Sequence, residues 1–570
     1  MSKMAKRWWE DCLGYIIYPE SFCDSNGDGI GDLKGIESKL DYLSSLGVNL
    51  LWLCPIFASP MEDGGYDVSD YLSINPSFGT MDDLKDLIKA LHSRHMRLLL
   101  DLPLNHTSSS HPWFKKALAD PSSEERGYYI FKPGKKVGED VLPPNNWEGF
   151  FDTSAWERAP YSDEFYLHLF ASGMPDLNWA NHKLREKMFE IASFYLDLGV
   201  DGFRLDAVSH LAKNQSYADS SLPLDALGLA YDPSQFSNRP EVLAYLNEFK
   251  EKVFSHYDCL IIGELGGSAT PEEALSLTDF SSGPINMAFN FDTVWNNGAY
   301  MSIDKKDEEI TTDVICLKDN FMRWYNACHK NAYMPLYWCN HDHPRVLSQY
   351  GSPRFRYESA TCLLSVSLFL YGTPFIYMGE EIGMSNVSYA SLEDFYSDVA
   401  SKDEIERYLN LGYPPEQILA YMNRTSRVSA RTPFQWGKGA NASFSFKEGR
   451  FKVNHNYKEG VNVFEEESSP RSILSFYRYA LSLRLRPNVN EQVLNGDLHL
   501  LDHNHPDVFA YYHDGPSRLV LLANMRDYQC YFSFYYSIQD ILLHNYDDVI
   551  ISDHVFALRP FEALLLKVAG

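Results

Sequence analysis

The sequence predicts an α/β protein organised around a (β/α)8 barrel, with one inserted subdomain and a separate β domain near the C-terminus. Two observations predict this fold. Eight short apolar runs rich in β-branched and aromatic residues alternate with stretches of helical periodicity, which is the pattern of a parallel β/α array. In addition, 570 residues are too many for one ordinary hydrophobic core, but a barrel can absorb more than half of them.

The apolar runs are the predicted barrel strands, and they occupy residues 14–18, 50–53, 97–102, 202–205, 260–263, 286–289, 336–339 and 373–377. Helices are predicted between them. Behind a capping Thr80, for instance, Leu84, Leu87, Ile88 and Leu91 recur at the spacing of one helical face. A barrel of this type carries its chemistry on the loops at the C-terminal ends of the strands.

Two regions interrupt the alternation. Residues 105–176 are rich in Pro, Gly, Trp and Tyr and too long for a plain connection, so they are predicted to form an inserted subdomain, subdomain B. Residues 491–570 contain several strand-like segments and are predicted to form a C-terminal β-sandwich domain. The catalytic barrel is then predicted to comprise residues 1–104 and 177–490.

The charge balance argues against two classes of partner. The chain has 50 Lys and Arg residues against 77 Asp and Glu residues, a formal net charge of −27. This charge repels nucleic acid and anionic membranes, so a small neutral or cationic ligand is favoured. We expect a monomer or a small homo-oligomer.

The cysteines and the apolar segments predict a cytoplasmic protein. The nine cysteines are scattered singly, without disulfide or metal-ligand spacing, as expected of free thiols in a reducing compartment. The N-terminal residues contain no apolar stretch of signal-peptide length. The longest apolar run, residues 362–378, is short and interrupted, and it is better explained as a buried helix and strand than as a membrane span.

Carboxylates end several of the predicted strands. Arg204 and Asp206 are two residues apart on the fourth strand, so both side chains leave the same face, and the cation would keep Asp206 ionised. Glu264 ends the fifth strand, and His341 and Asp342 follow the seventh. Hydrolysis of a glycosidic bond with retention needs one ionised carboxylate and one protonated carboxyl group about 5 to 5.5 Å apart. Adjacent strand ends of a barrel can supply such a pair.

The same strand ends resemble the signatures of the α-amylase family, glycoside hydrolase family thirteen, and within it the oligo-1,6-glucosidase and α-glucosidase group. The resemblance covers nearly the whole chain. Its segments are residues 101–106 (DLPLNH), 202–206 (GFRLD), 262–265 (IGEL) and 340–342 (NHD). It implies that Asp206 is the nucleophile, that Glu264 is the general acid/base, and that Asp342 grips sugar hydroxyls.

The resemblance also implies residues that bind the cleaved glucose. Arg204, His106 and His341 would line the pocket around it, and Asp101 is expected to hold Arg204. The segment 63–71 (DGGYDVSDY) resembles the one that closes the pocket, with Asp63 at the blind end and Tyr66 stacking on the sugar. A closed pocket implies exo action.

A second set of matches concerns the subgroup. Residues 431–436 (RTPFQW) resemble a motif of these glucosidases, in which Arg431 pairs with the equivalent of Asp63. Arg427, four residues earlier, is expected to pair with a surface carboxylate. Met174 and Ala207 depart from the residues usual in the α-1,6-specific group, so the linkage stays open between α-1,4 and α-1,6.

The segment 24–32 (DSNGDGIGD) alternates oxygen ligands with glycines, as a loop for a hard cation does, although Gly35 occupies the place of the closing Glu of an EF-hand. The resemblance implies a structural Ca²⁺ or Mg²⁺ site whose ligands are Asp24, Asn26, Asp28, Asp32 and the Ile30 carbonyl. The alternative is a tight solvated turn without metal. No organic cofactor is expected, because glycoside hydrolysis needs only carboxyl groups and water.

Three functions are compatible with these residues. The first is a retaining, exo-acting α-glucosidase that acts on short oligosaccharides or disaccharides. The second is a relative that transfers or isomerises the glucosyl unit, of the trehalose synthase or sucrose isomerase type. The third, a non-catalytic binding module, would be expected to lack the carboxylates that are present here.

Overall fold

The computed structural model describes residues 7–151 and 153–569. Its centre is a sheet of eight parallel strands, β1 to β8, at Gly14–Ile17, Leu50–Leu53, Arg97–Pro103, Gly202–Asp206, Leu260–Glu264, Met287–Phe289, Pro335–Leu336 and Thr373–Tyr377. Their spatial order is β6-β5-β4-β3-β2-β1-β8-β7. In the described residues no ladder joins β6 to β7, so the barrel is nearly closed. The predicted barrel is confirmed.

The seventh strand is shorter than predicted. The sequence predicted a strand over residues 336–339, whereas β7 pairs only through Pro335 and Leu336, both with β8. Pro335 has no N–H to donate, and β6 forms no ladder on the other side of β7, so little holds the following residues in a strand. They run instead as a loop that carries Asp342.

Fifteen helices, α1 to α15, lie in the described chain. Their bounds are Leu33–Ser38, Leu40–Leu46, Met81–His92, Pro112–Ala119, His182–Leu198, Glu241–Lys252, Pro271–Thr278, Val314–Cys328, Val346–Tyr350, Arg356–Leu368, Val399–Asn410, Pro415–Thr425, Val463–Ser468, Ile473–Arg484 and Pro487–Asn495. The predicted cap of α3 is confirmed, because the Thr80 side chain accepts the Asp83 N–H and the four predicted apolar residues of this helix are buried.

An insert follows β3 and overhangs the C-terminal strand ends. It contains the antiparallel strands Phe131–Pro133, Glu164–Leu167 and Trp156–Arg158 and a hairpin of Lys135–Val137 with Asp140–Leu142. A cluster of buried aromatic residues, among them Trp147, Trp156 and Phe165, holds it together. His106 forms an isolated bridge with Asp176 at the base of the insert. The exact domain limits at residues 104, 176 and 490 stay a prediction.

The C-terminal region forms two antiparallel sheets. One contains Leu498–Leu500, Val508–His513, Ser517–Asn524, Ala563–Ala569 and Ile538–His544, and the other contains Cys530–Ser533, Val555–Leu558 and Ile551–Ser552. Residues of both sheets, such as Leu522 and Phe532, pack in one apolar cluster. This arrangement is the face-to-face packing of a sandwich.

The apolar run at residues 362–378 is buried, as predicted, in α10 and β8. Within residues 7–151 and 153–569, no helix combines the length and the apolar character that crossing a bilayer requires. All nine cysteines lie in the described part and are unpaired, and only Cys316 is exposed. Of the N-terminal segment inspected for a signal peptide, residues 1–6 lie outside the described residues.

Candidate active site

Arg204 organises the carboxylates at the ends of β3, β4 and β5. Parallel register places it beside Asp101 on β3 and Ile262 on β5. Its Nη1 donates to Asp101 (2.8 Å) and to Asp206 (2.5 Å), and its Nη2 lies 3.0 Å from a Glu264 oxygen. The guanidinium is 1 % exposed, so these ion pairs act in a medium that screens them poorly. One buried cation therefore holds three carboxylates at neighbouring strand ends.

A strained residue follows the predicted nucleophile. Ala207 has φ 49°, in the left-handed region that non-glycine residues rarely occupy. In this conformation its N–H donates to Glu264 Oε2 at 2.9 Å. The left-handed conformation of Ala207 thus allows a hydrogen bond between the end of β4 and the carboxylate at the end of β5.

The charges at the strand ends act on Asp206 in opposite directions. Burial raises the pKa of Asp206 well above its ordinary value, and the negative charge of Glu264 adds to this effect while Arg204 opposes it. Both carboxylates contact the same guanidinium, so the charge of one acts on the other. A pair with one proton and one negative charge can act as an acid and a nucleophile.

The blind end of the pocket, which we define as Asp63, Asp342, Asp398, Arg427 and Arg431, is an ionic network. Arg427 contacts Asp63 (2.5 Å), Asp342 (3.0 Å) and Asp398 (2.8 Å). Arg431 contacts Asp342 (3.0 Å) and Asp398 (3.2 Å). Two guanidinium groups thus neutralise most of the charge of three carboxylates.

Two sequence-based expectations are wrong at this end. Arg427 was expected at a surface carboxylate, but it is largely buried and is the residue that pairs with Asp63. Arg431, expected to be that partner, instead donates to the His341 carbonyl and to the two carboxylates behind it. The helical spacing of the two arginines did not reveal that the chain turns after α12, at the short 3-10 helix Arg427–Ser429, which directs Arg427 inward.

The network fixes the charge of Asp342 and Asp398. Although burial opposes the shift, His341 and the guanidinium groups of Arg427 and Arg431 hold the pKa of Asp342 well below its usual range. Against the same burial, both arginines lower the pKa of Asp398. Both carboxylates therefore stay ionised at any pH at which the enzyme could work.

His341 and Tyr66 form a stacked pair beneath Asp342. Their rings are 5.1 Å apart and 10° from parallel. The Tyr66 hydroxyl lies 2.6 Å from His341 Nε2 and donates to Asp101 at 2.8 Å. The same His341 nitrogen lies 2.9 Å from Asp342. His341 is fully buried, so it orients Asp342 and Tyr66 from behind.

His106 reaches the cavity itself. Burial lowers its pKa to about 4, so its imidazole is neutral. Its Nε2 is buried and has no hydrogen-bond partner among the described residues. Burying a polar atom without a hydrogen-bond partner costs free energy, unless a ligand supplies the missing hydrogen bond.

These residues enclose one cavity of about 450 Å³. Six of the nine residues predicted for catalysis or sugar binding line it: Asp63, Tyr66, His106, Asp206, Glu264 and Asp342. The other three, Arg204, His341 and Arg431, lie behind them and are at most 1 % exposed. The sequence predicted the neighbourhood of all nine but not this division into lining and supporting residues.

The mouth of the cavity, which we define as its aromatic outer part, was largely missed by sequence reasoning. One wall contains Phe291, Trp295, Tyr300 and His343, and the other contains Phe150, Phe151, Phe170, His210 and Tyr231. Aromatic residues are common in the sequence, and no spacing marks those that meet at the mouth. His343 could have been suspected, because it directly follows Asp342.

The loop at residues 24–32 has the oxygen donors of a hard-cation site, but its carboxylates are engaged by the backbone. Asp24 accepts N–H groups of Asn26, Gly27 and Gly29, and Asp32 caps α1 through the Gly35 N–H. Within the described residues, no three His, Cys, Asp or Glu side chains converge as metal ligands do. The donor chemistry fits Ca²⁺ or Mg²⁺, and binding would require Asp24, Asp28 and Asp32 to turn toward a common centre.

Comparisons with known proteins agree with this geometry. The family model for the α-amylase catalytic domain matches residues 16–492. The oligo-1,6-glucosidase of Bacillus cereus is 39 % identical over 576 residues, covering 99 % of this chain and 100 % of that protein.

Two solved structures are also similar along the whole chain. An isomaltulose synthase mutant of Erwinia rhapontici, in complex with sucrose, has a TM-score of 0.92 and 32 % identity, covering 99 % of this chain and 100 % of that one. A trehalose-6-phosphate hydrolase mutant of Bacillus licheniformis has a TM-score of 0.90 and 33 % identity, again covering 99 % and 100 %.

Proposed function

The chain belongs to the α-amylase family, and on that premise we propose that it is a retaining, exo-acting α-glucosidase that releases glucose from the non-reducing ends of short α-glucosides. The observation that carries the proposal is that Asp206 and Glu264, which both line the cavity, share Arg204 behind its wall. A double displacement needs two carboxyl groups with one proton between them, one as the nucleophile and the other as the general acid/base, and adjacent strand ends provide them.

In this proposal Asp206 attacks the anomeric carbon while Glu264 donates its proton to the leaving glycosidic oxygen. The bond to the leaving sugar breaks as the bond between Asp206 and glucose forms. A water molecule then attacks the same carbon, gives its proton to Glu264, and releases glucose and the free Asp206 carboxylate. Arg204 opposes the effect of burial on Asp206 and so favours the ionised form before attack and after release.

Asp342 and His106 are proposed to hold the hydroxyl groups of the cleaved glucose. Asp342 is kept charged by the blind end, so it can accept strong hydrogen bonds from two hydroxyls. His106 offers a neutral, unpartnered nitrogen on the same cavity. Hydrogen bonds that strengthen as positive charge develops on the ring would lower the barrier.

Exo action is proposed from the contacts of Asp63. Its ion pair with Arg427 closes the cavity behind the glucose, so no further sugar fits beyond the non-reducing end. The linkage remains α-1,4, α-1,6 or both. Met174 is 1 % exposed and packs in a small buried cluster with Tyr66, which lines the cavity, so a change at Met174 would act through Tyr66.

Glucosyl transfer is the second candidate, favoured by the similarity to the isomaltulose synthase. A transferring enzyme would return the glucosyl unit to a sugar held at the mouth instead of to water. Product analysis separates the two, because free glucose as the dominant product excludes transfer as the main reaction.

We also propose that the loop at residues 24–32 binds a structural Ca²⁺ or Mg²⁺ ion through Asp24, Asn26, Asp28, Asp32 and the Ile30 carbonyl. Carboxylate, amide and carbonyl oxygens are the ligands that these ions prefer. A cytoplasmic location is proposed from the nine unpaired cysteines, which suit a reducing compartment.

The decisive experiment measures glucose release from maltose, isomaltose, trehalose, sucrose and α-glucosyl fluoride by the wild type and by Asp206→Asn. We expect the substitution to lower kcat by roughly 10⁴-fold, because the nucleophile is lost. Asp197→Asn, on the exposed face of α5, is the matched control and should retain activity. A wild type that neither releases nor transfers glucose from any of the five substrates would overturn the proposal.

A further inference from the structure

The mouth of the cavity contains a polar side chain without a partner. His343 is 4 % exposed and lines the cavity. Both of its ring nitrogens are buried, and neither has a hydrogen-bond partner among the described residues. An imidazole always carries at least one N–H donor, so its burial without a hydrogen-bond partner is costly. A hydroxyl-bearing ligand in the mouth would remove this cost.

The rings around His343 are arranged as a wall. Its ring lies 5.5 Å from Phe291 and 5.7 Å from Trp295, in both cases edge to face. Trp295 in turn stacks on Tyr300 at 5.0 Å and 25°. Tyr300 is 52 % exposed, so the stack runs from the buried His343 toward solvent. Flat apolar rings beside one hydrogen-bonding nitrogen match the apolar face and polar edge of a sugar.

The loop that carries this wall is fixed by its own hydrogen bonds. The Asn296 N–H donates to the Tyr350 hydroxyl at 2.9 Å, and the Asn296 amide donates to the Asp292 carbonyl at 2.7 Å. Asn297 donates to the Gln349 carbonyl at 2.9 Å. Trp295 therefore lies on a rigid segment, and a sugar that stacks on it loses little free energy to ordering of the loop.

The charges around the mouth disfavour an anionic ligand. Among the described residues that line the cavity, Arg427 is the single basic side chain of the Lys or Arg type. Its guanidinium is engaged by three carboxylates of the blind end. Asp292 adds a carboxylate to the lining, and its nearby cation, Arg323, is paired with it. Burial lowers the pKa of His343 to about 4, so this side chain contributes no positive charge.

We propose that His343 and the Trp295–Tyr300 stack form the binding site for the leaving sugar, and that this site selects an uncharged sugar over its phosphate ester. The inference rests on the proposed function, because it assigns the sugar that departs when Glu264 donates its proton. His343 supplies a hydrogen bond to a hydroxyl of that sugar. Trp295 supplies the apolar surface on which the ring stacks.

The test compares substrates that share the glucose but differ in the leaving group. For each variant, kcat/KM is measured for the best disaccharide of the panel and for α-glucosyl fluoride, whose leaving group does not reach the wall. We expect His343→Ala and Trp295→Ala each to lower the ratio of the two values about tenfold. His343→Gln, which keeps a donor and an acceptor, should retain the ratio within about threefold.

A second arm compares the disaccharide with its phosphate ester on the leaving sugar. The wild type is expected to cleave the ester at least about tenfold less efficiently, because the one cation of the described cavity lining, Arg427, is already engaged by carboxylates and cannot pair with the phosphate. Tyr535→Ala, in the C-terminal domain, controls for the loss of an exposed aromatic residue. Thermal unfolding of each variant shows whether it is folded.

The outcomes separate the inference from the proposed function. Unchanged ratios in folded His343→Ala and Trp295→Ala, with fluoride still cleaved, overturn the leaving-sugar site. An ester cleaved as well as its parent overturns the selection against phosphate. Inactivity of the wild type on the fluoride and on every disaccharide overturns the proposed function itself.

Discussion

The blind end and the mouth of the same cavity are built on opposite principles. The blind end has two arginines and three carboxylates in contact, whereas the mouth has aromatic rings and two uncharged histidines. Buried ion pairs have demanding geometry, and removing one partner leaves an uncompensated charge. Stacked rings tolerate variation, since their contacts are not directional in the same way. On the proposed function, this difference predicts that the blind end recognises one sugar strictly, while the mouth accepts several uncharged leaving groups.

The largest effect on kcat/KM is expected from Asp398→Asn, which removes one carboxylate from the ionic network of the blind end. This change leaves Arg427 and Arg431 short of one negative charge, and Asp342 and Asp63 shift toward them. We expect kcat/KM to fall on the order of 10²- to 10³-fold. The fall should be equal for the disaccharide and for α-glucosyl fluoride, because the blind end touches only the retained glucose.

Asp394→Asn is the matched control for that experiment. Asp394 lies in the same segment and pairs with the exposed Lys452, so its loss should change kcat/KM little. A loss with Asp398→Asn that is confined to disaccharides would contradict the division of the cavity into a strict and a tolerant end.

A pH profile tests the charge of the blind end. The folded-state pKa of Asp342 is depressed, so the stability that its ionised form contributes is complete above the unfolded pKa near 3.9 and is lost as pH falls through the lower folded-state pKa. Arg427→Gln removes one cation and should raise the pKa of Asp342. We expect the acid-induced fall of Tm to begin about one pH unit higher than in the wild type.

Arg424→Gln provides the comparison for the pH profile. Arg424 lies one helical turn earlier and pairs with the exposed Asp307, so its substitution should leave the pH of this fall unchanged. If Arg427→Gln loses Tm at the same pH as Arg424→Gln and the wild type, Arg427 does not hold the charge of Asp342.

A smaller effect on KM is expected from a substitution in the second wall of the mouth. Tyr231 is 45 % exposed and lies 6.1 Å from Phe150, so it borders the entrance. Tyr231→Ala should raise KM for the disaccharide about threefold and change kcat less. Tyr161→Ala, an exposed tyrosine of the insert outside the cavity, serves as the control. A tenfold loss of kcat with Tyr231→Ala would mean that the mouth is not tolerant.

The smallest expected effect lies outside both regions, at the loop of residues 24–32. Removal of a bound ion by EDTA should lower the Tm of the wild type by about 3 °C, because an ion that binds only the folded state stabilises it. In Asp28→Ala the Tm should be lower from the start and insensitive to EDTA. The ratio of disaccharide to fluoride cleavage should not change in either case. An EDTA-insensitive wild type would leave the loop as a solvated turn.

The features that the sequence predicted are those with local or periodic signals. The barrel strands alternate with helical faces, and Thr80 marks the start of α3 through its own backbone contacts. The pairing of Arg204 with Asp206 follows from two residues on one face of one strand. Asp101 and Glu264 join them because parallel neighbours in register place their ends side by side.

The features that were missed depend on contacts between distant segments. Asp398 caps α11 and looks like an ordinary N-cap residue, yet it lies between two arginines. Arg427 has the Asp63 partner that was expected of Arg431, because a turn after α12 directs Arg427 inward. His343 and Trp295 come from loops after different strands and meet only at the mouth.

The sequence by itself determined the barrel, the order of its strands along the chain, and the set of carboxylates at the strand ends, because strand alternation, helical spacing and motif residues are properties of neighbouring positions. Only the tertiary structure decided which arginine closes the pocket, which residues line it and which support them, and where the buried His343 lacks a partner. These outcomes depend on how loops from separate strands pack against one another, since the ion pairs and ring contacts join residues that lie from 29 to 364 positions apart and leave no periodic pattern in the sequence.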